Sequence, residues 1–309
     1  MVLNKKGIAF TMITITILSM FAVSYGTYNL IKDRSSINKR ITTLNNFVFS
    51  VEKDLERELY VSGYRVIFLF NKHIADNGAY ISNVKDLTNE LFINGSLDTV
   101  EQDLMQEAKL SAIENFLNEN AERTNANLSL IDSEIGITQE DPWNIKFTFN
   151  TTMILTDKSN LASWNRTLSI DSHIPITNFN DPIYFIGTIN IMLKRINRTP
   201  YSTFVSGGDY SNLTSHFQNS YYKESTLAPS YLNRLEGNFS ADPNGVESIV
   251  YPQTLTDAGI SIFFEKSLID YIYFDNTNNP PSTDIFEVPD LRIDNTHCPA
   301  YNLTSPLCP

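Results

Sequence analysis

The first feature of the hydrophobic pattern is an uncharged N-terminal run. No charged residue occurs between Ile8 and Leu30, whereas Lys5 and Lys6 stand just before this run. About 23 residues at a rise of 1.5 Å per residue form a helix of roughly 34 Å, which exceeds the ~30 Å hydrocarbon core of a bilayer. We therefore predict a basic leader over 1–7 and a transmembrane helix over 8–30, with the lipid bilayer as its partner.

A heptad-like apolar seam follows the uncharged run. Its members step by four and three residues: Ile37, Ile41, Leu44, Val48, Val51, Leu55 and Leu59. No proline interrupts the segment, so we predict that the spanning helix continues as an amphipathic stalk over 31–76. Asn77-Gly78 supplies a C-terminal stop, and Gly63 is the expected site of a bend. The seam could pack against either of two partners: the protein's own globular domain, or a second helix in a coiled coil.

Capping-box patterns predict two helices after the stalk. Thr99 with Gln102 opens a helix that runs to about Leu110. Ser111, in a box of the same type, opens a second helix through Ala121. In such a box the hydroxyl and the later Glu or Gln side chain satisfy backbone N–H groups of the first turn.

The chain then alternates apolar and polar positions, which is typical of half-buried strands. The alternation is clearest from Ile145 to Leu155, and the turn residues 157–160 lead to a returning strand from Trp164 to Ile174. The same alternation occurs from Leu128 to Ile137. Together these segments predict an antiparallel meander on the apolar face of the long helix.

The last third of the chain contains shorter signals. Asp181-Pro182 fits the start of a helix through Phe185, and Ala228-Pro229-Ser230 leads a helix that Gly237 ends. Alternation predicts strands over 260–264 and 269–273, with a loop over 275–284. The predicted fold class is α+β: a long N-terminal transmembrane and stalk helix, followed by an antiparallel β-meander packed on helices. We assign 77–309 to an extracytoplasmic α+β domain, with a subdivision near 178–200 as the alternative.

Composition narrows the partners and the compartment. The formal net charge is −12 and no basic stripe is present, which excludes nucleic acid as an expected partner. The apolar fraction of 42% is enough for a hydrophobic core. Cys298 and Cys308 lie in a proline-containing terminal segment and predict one small disulfide loop, which belongs in an oxidising compartment.

The orientation signals point in two directions. Lys5 and Lys6 favour a cytoplasmic N-terminus, but Lys32, Arg34, Lys39 and Arg40 follow the span, and a count of basic residues alone favours the reverse. Long downstream domains are translocated largely regardless of charge. Candidate N-glycosylation sites support an external body: Asn94, Asn127, Asn150, Asn165, Asn197, Asn212, Asn238 and Asn302. We predict a single-pass protein with a cytoplasmic N-terminus and an extracytoplasmic C-terminal domain.

Catalytic sequence motifs are absent from the chain. There is no zinc-protease helix motif, paired Cys-x-x-Cys, phosphate-binding loop or serine-hydrolase elbow, and His73, His173, His216 and His297 are isolated from one another. The loop from Val205 to Asp209 contains two glycines, so its backbone amides could bind an anion and Asp209 could bind a cation. Such loops are more often turns. The aromatic pairs and runs Tyr221-Tyr222 and Tyr271–Phe274 could contact glycans or subunits, with a core role favoured. We predict no enzyme, metal or cofactor, and the small-molecule ligand, if any, is unknown.

The leader Lys5-Lys6-Gly7 followed by Ile8-Ala9-Phe10-Thr11-Met12 resembles the class III signal of type IV pilins and their archaeal relatives. The resemblance implies cleavage between Gly7 and Ile8, and a mature helix that packs against other pilin-like subunits in a filament. The family plan of a long helix, an antiparallel sheet and a cysteine-bounded C-terminal loop is also similar. Met12 stands where major pilins usually carry a glutamate. Minor or tip subunits can lack this glutamate.

Two alternative hypotheses remain open besides the pilin-like one. The first is an adhesin or an extracytoplasmic ligand-binding or sensory module that stays on its own anchor without filament assembly. The second is an enzyme, which would require a pocket where carboxylates or histidines from distant parts of the chain converge.

Overall fold

A computed structural model describes residues 5–159, 161–275, 277–278 and 280–303. The first element, α1, is a single helix of 73 residues, Lys5–Asn77. It ends where predicted, since Gly78 has a φ of +64° and its amide donates to the Ile74 carbonyl at 2.8 Å. The predicted continuity of the helix from the apolar run into the amphipathic segment is confirmed, and α1 continues through Gly63.

Short elements connect α1 to the main sheet. They are α2 (Val84–Asn94), β1 (Ser96–Leu97), β2 (Val100–Glu101), a 3₁₀ turn (Asp103–Met105) and α3 (Leu110–Arg123). The helix predicted from Thr99 is wrong. Asp98 and Thr99 have φ values of 50° and 66°, so they form the two-residue turn of the β1–β2 hairpin instead of a helix cap. The helix predicted from Ser111 is confirmed as α3, but its N-cap is Lys109, which makes no side-chain cap bond.

The main sheet is the predicted antiparallel meander. Its strands are β3 (Ala126–Asp141), β4 (Asn144–Asp157) and β5 (Ser163–Pro175), hydrogen-bonded in that order. α1 packs against β4 and β5, while α2 and α3 pack against β3. Every second residue of β4 from Ile145 to Asp157 is buried, which turns one face of the sheet toward the helices.

The rest of the body is built from short helices and two-stranded ribbons. These are α4 (Pro182–Gly187), α5 (Ser211–Asn219), β6 (Tyr222–Glu224), α6 (Tyr231–Leu235), β7 (Val246–Ser248), α7 (Pro252–Asp257), α8 (Asp270–Phe274), β8 (Ser282–Asp284), β9 (Arg292–Asp294) and a 3₁₀ turn (Cys298–Tyr301). β6 pairs with β7 and β8 pairs with β9, both antiparallel. The predicted helices after Asp181 and Ser230 are confirmed as α4 and α6.

Two predicted strands in this region are wrong. Residues 260–264 form no strand, and 269–273 lie mainly in α8. The segment is buried on all sides, which explains why it is apolar without forming a strand that buries one face. Its buried residues are Leu268, Ile269, Tyr271, Ile272 and Tyr273. Part of the predicted loop 275–284 is strand β8, and its residues 276 and 279 lie outside the described residues.

Buried apolar side chains form one hydrophobic cluster that reaches from Leu44 to Leu303. α4 contacts α1, α6 and α8, and α6 also contacts β3, so the short elements pack onto the helix-and-sheet layer. The subdivision near 178–200 stays a prediction.

Candidate functional site

A continuous exposed apolar surface covers the first part of α1. The segment Ala9–Tyr28 is apolar enough and long enough to cross a membrane or to act as a signal sequence, and none of it is buried. Phe10, Phe21 and Ile31 expose 71%, 72% and 68% of their surface. The hydroxyls of Thr14 and Thr16 donate to carbonyls one turn earlier, Phe10 at 2.9 Å and Met12 at 2.8 Å, so they leave no unsatisfied hydroxyl on the apolar surface.

The second part of α1 lies in the core of the body. Leu44, Val48, Val51, Leu55 and Leu59 are at most 2% exposed, whereas Ile37 and Ile41 expose 38% and 39%. The protein's own domain therefore covers the seam from Leu44 onward, and the first two seam positions lie between that domain and the apolar segment. Within the covered part, the own-domain alternative explains the seam without a coiled coil.

Ion pairs fix the helix to the sheet where it leaves the body. The Arg40 guanidinium donates to Asp157 Oδ1 at 2.6 and 2.9 Å and to the Asn125 carbonyl at 2.8 Å. These bonds hold the pKa of the Asp157 carboxyl below its usual range. Further along α1, Glu52 pairs with Arg166 of β5 at 2.7 Å. Both contacts join α1 to the sheet.

A buried ion cluster joins three of the short helices. Arg234 of α6 donates to Asp181, the N-cap of α4, at 2.6 Å, and to Asp270 of α8 at 3.1 and 3.2 Å. All three side chains are fully buried. The Tyr222 hydroxyl donates to Asp181 and the Ser248 hydroxyl donates to Asp270, each at 2.8 Å. The cluster thus ties α4, α6, α8 and the β6–β7 ribbon together.

The charged groups in this cluster shift one another's pKa values. Burial raises the pKa of Asp181, although Arg234 acts in the opposite direction. Burial alone would lower the pKa of Arg234, but Asp181 and Asp270 more than offset this and raise it. One guanidinium shared between two carboxylates therefore stays charged, and its role is to stabilise the packing of these elements.

A second buried cluster centres on His297. Its Nδ1 lies 2.8 Å from Asp294 Oδ1, and its Nε2 lies 2.8 Å from the Tyr271 hydroxyl and 3.5 Å from Glu247 Oε2. Burial opposes the charge on His297, but the hydrogen bond that its ring donates to Asp294 raises its pKa. Asp294 is also buried, yet its bond to His297 lowers the pKa to about 2. His297 is 2% exposed and Asp294 is 1% exposed, so this convergence of acid and base groups is closed to a substrate.

Two of the surface clefts lie on the short-element half of the body. One, of about 460 Å³, is lined by Phe263, Phe264, Phe286, Asp284 and Arg292. Another, of about 510 Å³, is lined by Trp143, Arg198, Tyr201, Lys223 and Glu224, with the Arg198 guanidinium 4.9 Å from the indole ring centre. The first is aromatic and the second is polar and mixed in charge.

The glycine loop from Val205 to Asp209 is a turn. Gly207 and Gly208 have φ values of 58° and 85°, and Ser206 and Asp209 bond across the turn. Oδ1 of Asp209 accepts the Ser211 amide at 2.9 Å, which stabilises the turn. No group of three or more His, Cys, Asp or Glu residues that could hold a metal ion occurs among the described residues.

The histidines outside this second cluster are separate from one another. His216 is buried, and burial lowers its pKa to about 3, while His173 is exposed on β5. His73 Nε2 lies 3.5 Å from Asp98 Oδ2 near the β1–β2 hairpin.

The aromatic residues singled out in the sequence are largely core. Tyr222, Tyr271 and Tyr273 are 0%, 6% and 2% exposed, while Tyr221 and Phe274 are half-buried. They pack inside the body and do not form an open aromatic surface.

The remaining candidate residues fall into three groups. All the sequon asparagines are exposed. Cys298 is buried, but Cys308 lies outside the described residues, so the disulfide stays a prediction. Gly7 lies in the first turns of α1, and the leader residues 1–4 fall outside the described range, so cleavage before Ile8 also stays a prediction.

Sequence reasoning missed both buried clusters. Arg234 is separated from Asp181 by 53 residues and from Asp270 by 36, and no local pattern links them. The only local signal was the Asp181-Pro182 helix start. Searches of protein-family models, curated proteins and solved structures find no match to this chain.

Proposed function

We propose that the chain is a membrane-anchored extracytoplasmic structural or interaction protein of the type IV pilin or minor pilin kind. The division of the single helix α1 between two environments carries this proposal. Ala9–Tyr28 exposes an apolar surface all round, while the same helix forms the core of the body from Leu44 onward. An apolar helix of this length is stable in lipid or against other apolar helices.

The placement of the body outside the membrane rests on the surface chemistry. The sequon asparagines are exposed, and Lys5 and Lys6 stand on the other side of the apolar segment. Residues 31–43 emerge from the apolar segment as helix, and Arg40 fixes that helix to Asp157. The body would therefore be held at a constant distance from the bilayer, which suits display or assembly of a subunit.

Assembly would use lateral contacts along 8–30. Met12 is 68% exposed and uncharged, so neighbouring helices would pack here without a buried carboxylate. This chemistry suits a minor or terminal subunit better than the repeating subunit of a filament. Packing would be driven by apolar contact between helices.

A tethered adhesin or ligand-binding module is the second candidate, and the aromatic cleft favours it. Phe263, Phe264 and Phe286 expose 56%, 71% and 88% of their surface around one cleft, an arrangement that soluble monomers seldom leave uncovered. In this case the helix would serve only as an anchor.

N-terminal mass spectrometry of the protein from its native membrane and from sheared surface material separates the two candidates. A pilin-like subunit starts at Ile8 and occurs in the sheared fraction. A tethered module starts at Met1 and stays entirely in the membrane, and that result would remove the pilin-like proposal.

A matched pair of variants tests the cleavage directly. Gly7 and Gly26 both lie in α1 with no atom within 4 Å of an added Cβ, so valine fits equally well at either position. We expect Gly7→Val to accumulate the uncleaved chain and Gly26→Val to be processed like the wild type. Equal N-termini in the two variants would contradict processing after Gly7.

A further inference from the structure

Three sequons lie on one face of the main sheet. The core-facing residues of β4 include Ile145, Phe147 and Phe149, so Asn150, one position further, points to the opposite face. Asn127 of β3 pairs with Thr156, and Asn165 of β5 pairs with Ile154, both of which share the face of Asn150. Each of the three strands therefore places one exposed sequon asparagine on the outer face.

The strand geometry also places the hydroxyl of each sequon on that face. Residues i and i+2 of a strand point the same way, so Ser129, Thr152 and Thr167 lie beside their asparagines. Thr152 and Thr167 are direct register partners. Asparagine and hydroxyl are thus presented together toward solvent on all three strands.

These sequons differ from the others in having no internal bonds. Across the described ranges, no hydrogen bond engages the side chains of Asn127, Asn150 or Asn165, or the hydroxyls of their sequons. In every other sequon the asparagine or the hydroxyl is engaged: Ser96 donates to Glu90, Thr199 contacts His216, Asn212 donates to Thr203, Asn238 accepts from Ser240, and Asn302 accepts from Phe204. A substituent on the sheet asparagines therefore breaks no bond of the folded protein.

The surface around the three asparagines suits a glycan cover. The register partners are Thr156 for Asn127, Ile154 for Asn165, and Glu134 and Ser169 for Asn150, and the nearby Ile131 exposes 42% of its surface. From a strand spacing of about 4.8 Å and a rise of about 3.3 Å per residue, Asn165 lies roughly 12 Å from Asn127 and roughly 14 Å from Asn150. These separations leave room for three separate chains.

We propose that the outer face of the β3–β5 sheet is a glycan-bearing surface, modified at Asn127, Asn150 and Asn165. The inference rests on the proposed external placement of the body. The sugar donor would be an oligosaccharide linked to a lipid phosphate. The bond between its anomeric carbon and the phosphate oxygen breaks, a bond to Asn Nδ2 forms, and the amide loses one proton as the lipid phosphate leaves. No oxidant or reductant is needed.

A glycan cover on the outer face of the sheet would also determine which surfaces of the molecule can contact partners. The inner face of the sheet holds the core, and the outer face would be closed to other subunits by sugar. Lateral contacts of the body would then be confined to other surfaces, which leaves the helix 8–30 and the short-element half available for partners.

Intact-glycopeptide mass spectrometry of the protein from its native membrane tests the proposal. We expect glycan on the peptides that contain each of the three asparagines. Thr152→Ala should lower occupancy of Asn150 to background and remove one glycan mass, because the asparagine remains but its hydroxyl partner is lost. Thr152→Ser should retain most of the occupancy. Asn115→Gln, at an exposed asparagine outside any sequon, should change nothing.

Protease treatment of intact cells separates the failure of this inference from failure of the proposed function. If external protease removes the body but the three peptides are unmodified, the glycan-bearing face is wrong and the external placement stands. If glycan occurs only at Asn94, Asn197, Asn212, Asn238 or Asn302, the assignment of the sheet face is likewise overturned. A body protected from protease, with unmodified peptides, overturns both.

Discussion

Gly63 lies where side chains of the sheet approach the backbone of the long helix closely. A Cβ at this position would stand 2.8 Å from Phe147 Cδ2 and 3.1 Å from Ile174 Cγ1. Phe147 and Ile174 are buried side chains of β4 and β5. The absence of a side chain at Gly63 therefore allows β4 and β5 to approach α1, which accounts for a glycine in a helix interior better than the predicted bend does.

We expect Gly63→Ala to lower the stability of the body. Alanine would gain about 1 kcal/mol in helix propensity, but overpacking of a filled core typically costs about 1–3 kcal/mol. The net effect should be a lower midpoint of thermal unfolding, measured by circular dichroism of the full chain in detergent. Gly26→Ala is the control, since a Cβ there meets no atom within 4 Å. An unchanged or higher midpoint for Gly63→Ala would show that the helix and sheet are not in close contact.

The pair formed by Asp294 and His297 should give the body a defined pH dependence. The pKa of Asp294 is lowered to about 2, so its contribution is present above the unfolded value of 3.8 and is lost as the pH falls toward 2. The pKa of His297 is raised, so its contribution is complete below 6.5 and is lost as the pH rises through its folded value. The pair therefore stabilises the body most between about pH 4 and pH 6.5.

His297→Gln should remove this dependence. The difference in the free energy of unfolding between wild type and variant is expected to be greatest near pH 5 and to shrink on both sides, with a maximum on the order of 2 kcal/mol. His173→Gln, at an exposed position on β5, should leave the wild-type profile unchanged. A difference for His297→Gln that is constant from pH 3 to pH 8 would mean that the pair is not ionised in the folded protein.

At the level of elements, local periodicity predicted the parts of the fold that one buried face determines. α1 and the strands β3, β4 and β5 each turn one side to the core, so period and burial agree. The segment 269–273 is buried on all sides and became a helix because its neighbours, including Arg234 through Asp270, decide its conformation. A segment that is buried on all sides has no periodic alternation of apolar and polar residues from which its structure can be predicted.

The buried charge clusters show a different limit. Asp181, Arg234 and Asp270 come from three short helices, and each residue alone is compatible with an exposed position. Their burial depends on the others being present, since an unpaired buried charge is strongly destabilising. Such dependence across the chain cannot be recovered from residues considered one segment at a time. The candidate membrane segment, in contrast, is contiguous and was predictable from composition.

The whole molecule consists of an apolar helix end and a body that folds around the other end. None of the segment Ala9–Tyr28 is buried, and the hydrophobic cluster begins at Leu44. Arg40 and Glu52 fix the helix to the sheet from within the body. Folding of the body therefore should not require the first part of α1, and the proposed membrane attachment should depend on that part alone.

Two N-terminal truncations test this separation. Removal of residues 1–30 should yield a body that is soluble without detergent and unfolds within a few degrees of the full chain, because no core residue is lost. Removal of residues 1–48 also deletes Leu44 and Val48, which are 0% and 2% exposed, and the ion pair of Arg40 with Asp157. Because loss of a large buried side chain costs about 2–5 kcal/mol, the shorter form should unfold well below the longer one. Aggregation of the 31–309 form would mean that the apolar segment packs on the body and is not a separate anchor. Equal unfolding midpoints for the two truncations would mean that Leu44, Val48 and Arg40 do not stabilise the body.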